Sequence, residues 1–324
     1  MLKTRITEMF GIEYPILSGP MAYLSQPELV SAVSNAGGLG ILSSIERPTT
    51  EELREAIKKT KSLTDKPFAV NITMLPAARP INYEDYFNAA IEEGVDIFET
   101  SGRSPEPYIK LLKDAKVKLM HRATRTRDIK TAERVGVDAV TILGTEAAGH
   151  PGMEDVTSLV RIPIAVDAVK IPVIAGGGIA DARGFVAALA LGAEGVLMGT
   201  RFLTSKECNV HPKAREWLLQ LGEVDTILVQ RSLKNTERVV RTEFTEKILE
   251  MEGKGATLEE LLPLISGQRG RSAYITGDTS NAKISTGQVV GLIHNILSVK
   301  EIIEGIISEA KPILQRLQSI GISR

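Results

Sequence analysis

"IPVIAGGGIADARGFVAALALGAEGVLMGTRF", residues 171–202, contains one complete strand–helix–strand unit. Two short apolar runs, 171–177 and 195–200, each end in a glycine-containing turn. The segment between them places apolar residues three and four positions apart, which is typical of an amphipathic helix. Because two parallel strands need a crossover of about a dozen residues, usually a helix, this stretch predicts a parallel sheet.

The same alternation of short apolar runs and helical segments extends over the first 205 residues. Eight such units in about 200 residues predict an α/β fold, the TIM or (β/α)8 barrel. A doubly wound open sheet stays an alternative, because counting strands does not show closure. The segment 150–170 is the least regular part of the pattern. The candidate strands are 14–18, 38–43, 67–73, 95–101, 117–122, 138–143, 171–177 and 195–200.

After residue 205 the pattern changes. Residues 206–324 contain helical runs such as "HPKAREWLLQL", "TEKILEMEG" and "VKEIIEGIISEAKPILQRLQ", without convincing strand alternation. We therefore expect a barrel over residues 1–205 and a mainly helical lid domain over 206–324, packed across the barrel mouth. The final helix is long enough to return to the barrel wall.

Composition narrows the functional classes. The chain has 324 residues, 43% of them hydrophobic and 24% charged, with a formal net charge of −1. Such a balance gives no electrostatic reason to expect nucleic acid or a membrane surface as partner. Cys208 is the single cysteine, so an internal disulfide and a cysteine-based zinc site are excluded, and no metal site is predicted. Without a signal-peptide pattern or a membrane-length apolar run, the predicted location is the cytoplasm.

The working loops of a (β/α)8 barrel follow the carboxyl ends of its strands. Asn71 ends the third predicted strand, and His121 and Arg122 end the fifth. The sixth leads into "GTEAAGHPG", residues 144–152, where small neighbours around His150 leave room for a flat, bulky group. A histidine there can move a proton. The alternatives are a turn whose histidine faces water, and a capping role for Asn71.

Glycines follow the seventh and eighth predicted strands, in "AGGGIAD" (175–181) and "MGTRF" (198–202). Uncovered backbone N–H groups beside a helix start bind phosphate, and these two loops are the usual phosphate site of such barrels. A flexible turn is the alternative. The dinucleotide fingerprint fails, because Asp181 stands where its third glycine should be. A mononucleotide such as FMN fits this arrangement better.

Several stretches together resemble the nitronate monooxygenase family, formerly 2-nitropropane dioxygenases, with its related NAD(P)H:quinone reductases and flavin-dependent enoyl-acyl-carrier-protein reductases. The resemblance runs over nearly the whole chain and implies an FMN enzyme with a barrel and a helical lid. The matching stretches are "YPILSGPMA", "SNAGGLGILS", "DKPFAVNITMLP", "GTEAAGHPG", "IPVIAGGGIAD", "ALGAEGVLMGTRFL" and "SGQRGRSAYITGD".

The resemblance also implies roles for individual residues. His150 takes the catalytic position. Arg122 departs from the lysine expected in the most similar relatives, and "SGPMA" lacks the glycine common at its third position. The implied FMN contacts are Pro20, Met21, Ala22, Asn71 and Arg122 at the ring and ribityl chain, Ala148 and Gly149 beside His150, and Gly176, Gly177, Gly178, Gly199 and Thr200 at the phosphate.

Three chemistries are compatible with this resemblance: oxidation of an alkyl nitronate with O2, reduction of a quinone by NAD(P)H, and reduction of an enoyl thioester on a carrier protein. "AAGH" at 147–150, where enoyl reductases tend to have "GGH", favours the first two, and we expect nitronate oxidation. A barrel enzyme for phosphosugars or a binding protein without flavin is the non-flavin alternative, for which only Glu99 and Glu146 offer acidic catalysts. A monomer and a homodimer are both compatible with the sequence.

Overall fold

A computed structural model of the chain describes residues 2–74 and 81–320. The last two residues of the "DKPFAVNITMLP" match, 75 and 76, and the last four residues of the expected lid domain lie outside this range.

Within the described residues, eight parallel strands form a closed barrel. The sheet runs in the order β1-β8-β7-β6-β5-β4-β3-β2. A parallel bridge between Leu17 and Leu39 joins β1 to the start of β2 and completes the ring. The predicted barrel is thus confirmed, and the open sheet is excluded. The strands are β1 (Ile16–Ser18), β2 (Gly40–Ser43), β3 (Phe68–Met74), β4 (Ile97–Gly102), β5 (Lys118–Ala123), β6 (Ala139–Leu143), β7 (Val173–Gly176) and β8 (Gly195–Met198).

Helices surround the barrel, one of them (α7) in the segment whose pattern was least regular. The helices up to residue 203 are α1 (Arg5–Phe10), α2 (Pro27–Asn35), α3 (Thr50–Leu63), α4 (Tyr83–Glu92), α5 (Ile109–Asp114), α6 (Thr126–Val135), α7 (Ser158–Ala168), α8 (Ala182–Ala190) and α9 (Thr200–Leu203). Those that follow are α10 (Pro212–Leu218), α11 (Glu243–Gly253), α12 (Leu258–Ile265), α13 (Gly267–Thr276) and α14 (Val299–Ser319).

The barrel interior is a packed apolar core. Ile6 and Phe10 of α1, which precedes β1, pack in one cluster with interior side chains such as Leu17, Leu39 and Ile174. Each of these side chains is nearly or wholly buried, which favours folding by about 1.5–3 kcal/mol per large apolar side chain. The interior is therefore filled, and room for a ligand is left only towards the carboxyl ends of the strands.

The C-terminal region contains two short strands besides its helices. Strands β9 (Thr226–Val229) and β10 (Glu237–Val240) form an antiparallel pair. Each strand is only four residues long and the connection between them is polar, so the sequence showed no clear strand alternation there. The final helix, α14, packs against the barrel helices α2 and α8. No helix in residues 2–74 and 81–320 has the length and apolarity that a membrane span requires.

Candidate active site

One cavity of about 430 Å³ opens at the carboxyl ends of the barrel strands. This volume lies within the range of about 300–1,000 Å³ usual for small-molecule sites. The cavity gathers loops that are far apart in the sequence, as the barrel topology predicts. The sequence-predicted residues that line it are Pro20, Met21, Ala22, Asn71, Arg122, Ala148, Gly149, His150, Gly177, Gly178, Gly199 and Thr200.

Gly176 is the predicted site residue that does not line the cavity. It is the last residue of β7, and a Cβ built there would lie 2.5 Å from the Leu143 side chain. Its side-chain position therefore faces the packed interior. This close contact gives a packing reason for glycine at position 176, and the implied phosphate contact there stays a prediction.

Three backbone amides in the loops after β7 and β8 line the cavity and have no hydrogen-bond partner among the described residues. Gly177 and Gly178 have φ values of +98° and +74°, a conformation that glycine adopts without strain. In the part of the chain that the structure describes, the N–H groups of Gly177, Gly178 and Gly199 have no hydrogen-bond acceptor. Because these N–H groups converge on the cavity without protein acceptors, the cluster indicates a site for an anion.

The expected contribution of a helix start is only partly available. The Asp181 side chain accepts hydrogen bonds from the backbone N–H groups of Arg183 (2.9 Å) and Gly184 (3.2 Å), so the first turn of α8 is already capped. Its carboxylate would also repel an anion at this helix end. The free donors at this edge are therefore the glycine amides of the two loops.

A hydrogen-bonded set of polar side chains lies at the ends of β3, β4 and β5. Glu99 is wholly buried and accepts hydrogen bonds from the Asn71 amide and from Arg122 Nε, the latter at 2.8 Å. Burial raises the pKa of the Glu99 carboxyl, against the opposing effects of Arg122 and Asn71. Arg122 also donates from Nη2 to Ser101 Oγ at 3.3 Å. Asn71 thus belongs to a network facing the cavity and is not a helix cap.

His121, the neighbouring candidate, lies on the other side of β5. Its Nδ1 is 2.9 Å from Thr100 Oγ1, and its ring is buried outside the cavity lining. Burial lowers its pKa to about 4. The alternation of side chains along a strand explains why Arg122 reaches the cavity and His121 does not.

Burial also raises the pKa of the Cys208 thiol to about 12, so that thiol is inert.

The loop after β6 is held at two points. Both Glu146 carboxylate oxygens accept from the Ser158 backbone N–H, at 2.9 and 3.0 Å, at the start of α7. Glu146 therefore holds a backbone amide. Further along, Gly149 forms an antiparallel bridge with Arg238 of β10. The C-terminal hairpin thus fixes the backbone directly before His150.

The His150 imidazole is exposed to the cavity. Within residues 2–74 and 81–320 it has no hydrogen-bond partner, so both ring nitrogens are available to a ligand. Burial is the largest influence on its pKa and lowers it from 6.5; Glu237 opposes this effect, whereas Lys283 and Arg122 add to it. The imidazole is therefore neutral at pH 7, the form in which one nitrogen can accept a proton.

Sequence reasoning missed the polar groups that the C-terminal region brings to the cavity, namely Gln230, Glu237, Lys283 and Ser285. Burial raises the pKa of the Glu237 carboxyl, but Lys283, His150 and hydrogen bonds outweigh burial and leave it below its usual value. The β-branched residues in "TILV" and "ERVV", at 226–229 and 237–240, were the available signal for this hairpin.

The arrangement fits FMN in three respects. The unpaired glycine amides provide donors for a phosphate, Arg122 provides a cation near the barrel centre, and Ala147, Ala148 and Gly149 leave space for a flat ring. A Cβ added at Gly149 would meet no atom within 4 Å, so this stretch of the wall is open. His150 adds an imidazole to the cavity from the same loop.

Comparisons with known proteins agree with this arrangement. Residues 3–309 match the family model described as nitronate monooxygenase. The chain is 39% identical to FabK from Thermotoga maritima, with a TM-score of 0.92 over 99% of this chain and 100% of that one. It is 31% identical to a probable nitronate monooxygenase of Staphylococcus aureus, over 97% of this chain and 99% of the relative. It is also 33% identical, over 100% of this chain and 99% of the relative, to the (3aS,4S,5R,7aS)-5-hydroxy-7a-methyl-1-oxo-octahydro-1H-indene-4-carboxyl-CoA dehydrogenase of Rhodococcus jostii.

Proposed function

The chain belongs to the nitronate monooxygenase family of oxidoreductases, and from this premise we propose that it binds FMN and oxidises alkyl nitronates with O2. The observation that carries the proposal is His150, an imidazole with no hydrogen-bond partner among the described residues, in a cavity that also carries unpaired glycine amides. When bound, FMN supplies the acceptor for two electrons and the reaction with O2.

The protein's own residues then have separate tasks. The amides of Gly177, Gly178 and Gly199 would hold the phosphate, and Asn71 and Arg122 would contact the ring. His150 accepts the proton when the Cα–H bond of a neutral nitroalkane breaks, and the negative charge moves onto the nitro oxygens. A base with a pKa near or below the working pH suits this step.

Reduction of an enoyl thioester is the second candidate. It is favoured by the 39% identity to FabK, an enoyl-acyl-carrier-protein reductase, over nearly the whole of both chains. Apolar side chains at the cavity, including Leu24, Ile45, Ile265 and Val289, suit an acyl chain. In that reaction His150 would donate a hydrogen bond to the thioester carbonyl and would not act as a base.

Anaerobic reduction of the bound flavin separates these candidates. We expect ethyl nitronate to bleach the flavin absorbance, and NAD(P)H to do so slowly or not at all. Rapid bleaching by NAD(P)H, followed by reoxidation with a crotonyl thioester, would support the enoyl reductase. Rapid bleaching by NAD(P)H with reoxidation by a quinone would support the NAD(P)H:quinone reductase that the sequence left open.

The pH dependence gives a test of His150 as base. Because burial lowers its pKa from 6.5, the imidazole stays unprotonated down to pH values below 6.5. We expect kcat/KM for a neutral nitroalkane to be level near neutral pH and to fall only below pH 6.5, as the base takes up a proton. A rate profile measured with nitroethane checks this, and preformed ethyl nitronate is the control. A midpoint above 6.5 would contradict this role for His150.

Arg122 provides a second test, on the cofactor. We expect Arg122→Met to weaken FMN binding by about 10- to 100-fold, since hydrogen bonds to a charged group contribute about 1.5–3 kcal/mol. Burial already raises the pKa of Glu99, so that carboxyl can take up a proton when its cation is lost. Fluorescence titration with FMN measures the change. Arg122→Lys keeps the cation and should bind FMN nearly as well as the wild type; equal affinity of all three proteins would remove Arg122 from the site.

A further inference from the structure

A buried ion pair from the C-terminal region lies in the cavity wall. Glu237 and Lys283 are 4% and 7% exposed, and the Lys283 ammonium donates to Glu237 Oε2. The same carboxylate accepts from Gln230 Nε2 at 2.7 Å and from Ser285 Oγ at 2.6 Å. Taking two charges out of water is expensive, and apolar residues of similar size often give equal or greater stability. A pair at this position therefore calls for a functional explanation.

The backbone places this pair beside His150. Gly149 and Arg238 are antiparallel bridge partners: the Gly149 N–H donates to the Arg238 carbonyl at 3.2 Å, and the Arg238 N–H donates to the Gly149 carbonyl at 2.6 Å. In an antiparallel register the next residues along, His150 and Glu237, lie side by side. A second bridge, between Val239 and Ser285, attaches the segment that carries Lys283 to the same edge of β10, since β9 occupies the opposite edge. His150, Glu237 and Lys283 line the same cavity.

The hydrogen-bond capacity of the pair is used unequally. The Glu237 carboxylate accepts three hydrogen bonds and is well satisfied. An ammonium has three N–H donors. Across the ranges that the structure describes, Lys283 donates to Glu237 alone, which leaves two donors on a buried cation at the cavity surface. A buried donor without an acceptor costs free energy, so these donors fit a ligand oxygen.

We propose that the Lys283 ammonium binds the reacting oxygens of the substrate, which carry negative charge in a nitronate, while Glu237 holds the ammonium in place beside His150. This inference rests on the proposed function and adds Lys283 as a catalytic residue and Glu237 as a positioning residue. His150 takes the proton at carbon, and Lys283 stabilises the charge that appears on the oxygens. A preorganised cation is effective in such a site because it needs no reorganisation during the reaction.

The test replaces both members of the pair, because Lys283→Met alone would leave Glu237 charged and unpaired. The double variant Glu237→Gln/Lys283→Met is compared with Glu250→Gln/Lys254→Met, which removes an exposed ion pair of the same chemistry from α11. We expect kcat/KM for ethyl nitronate to fall about 100-fold in the first variant, as on loss of one oxyanion donor, and to stay at the wild-type value in the second.

Nitrate, a planar oxyanion without reactive hydrogen, gives a readout independent of turnover. A ligand that binds the native state raises the melting temperature. In FMN-loaded protein we expect nitrate to stabilise the wild type and the α11 variant but not the Glu237→Gln/Lys283→Met variant. Equal stabilisation of that variant, or no stabilisation of the wild type, would overturn the assignment. If the wild type does not oxidise ethyl nitronate, the proposed function fails, and the nitrate comparison alone decides the role of Lys283.

Discussion

His150→Ala is expected to slow turnover of nitroethane by about 100- to 10,000-fold while FMN stays bound. A positioned general base contributes a rate factor of this size, and no other neutral base lines the cavity from the loops of the described residues. The imidazole has no hydrogen bond to protein in that part of the chain, so its removal leaves no partner unpaired. Steady-state rates and the flavin absorbance of the purified variant give the two readouts.

Preformed ethyl nitronate separates the role of base from other roles. Ethyl nitronate has already lost the proton from the carbon that carries the nitro group. His150→Ala should therefore slow the oxidation of ethyl nitronate far less than that of nitroethane. His294→Ala is the matched control, since His294 is an exposed histidine outside the cavity lining. Equal losses with both substrates would mean that His150 binds the substrate or the cofactor and does not remove a proton. Unchanged rates would remove it from the site altogether.

Gly199→Asp is expected to weaken FMN binding by at least about 100-fold. The Gly199 N–H is one of the unpaired amides, and a carboxylate there would repel a phosphate at close range by about 4 kcal/mol at an effective dielectric constant of 20. A Cβ at this position would meet only Met21 Sδ, at 3.8 Å, so the fold can accept a side chain. Titration of the apoprotein with FMN measures the loss.

Gly199→Ala provides the control for size. It adds the Cβ without the charge and should bind FMN within a few-fold of the wild type. The melting temperatures of both variants without FMN should match that of the wild type. If Gly199→Asp bound FMN as tightly as Gly199→Ala, the phosphate could not lie at these amides.

The barrel and most of its mouth were predictable because parallel strands impose strong local rules. Each strand is a short apolar run, and each crossover helix has apolar residues spaced three and four positions apart. The carboxyl ends of the strands must meet at one edge. His150, Gly177 and Gly199 could therefore be brought together from sequence alone. Gly176 is the last residue of β7, and the exact end of a strand, which decides which residue faces the cavity, is not fixed by the sequence pattern.

The residues that the C-terminal region contributes to the cavity could not be predicted from such rules. Glu237 and Lys283 are 46 positions apart and meet because one edge of β10 is bridged both to the loop before His150 and to Ser285. These contacts depend on how the region packs across the barrel, and short strands with mixed polar and apolar residues carry little information about that packing. Charged side chains in such segments also suggest solvent exposure, whereas here both are buried.

The comparison of FMN with riboflavin, titrated into apoprotein, tests the central claim most directly. The two ligands share the ring and ribityl chain and differ in the phosphate alone. The account places the ring between His150 and Arg122, with its phosphate on the glycine amides. The apoprotein should then quench the fluorescence of added FMN until one equivalent is bound. Riboflavin should bind at least about 100-fold more weakly. Equal affinity for both ligands, or no uptake of either, would contradict the account.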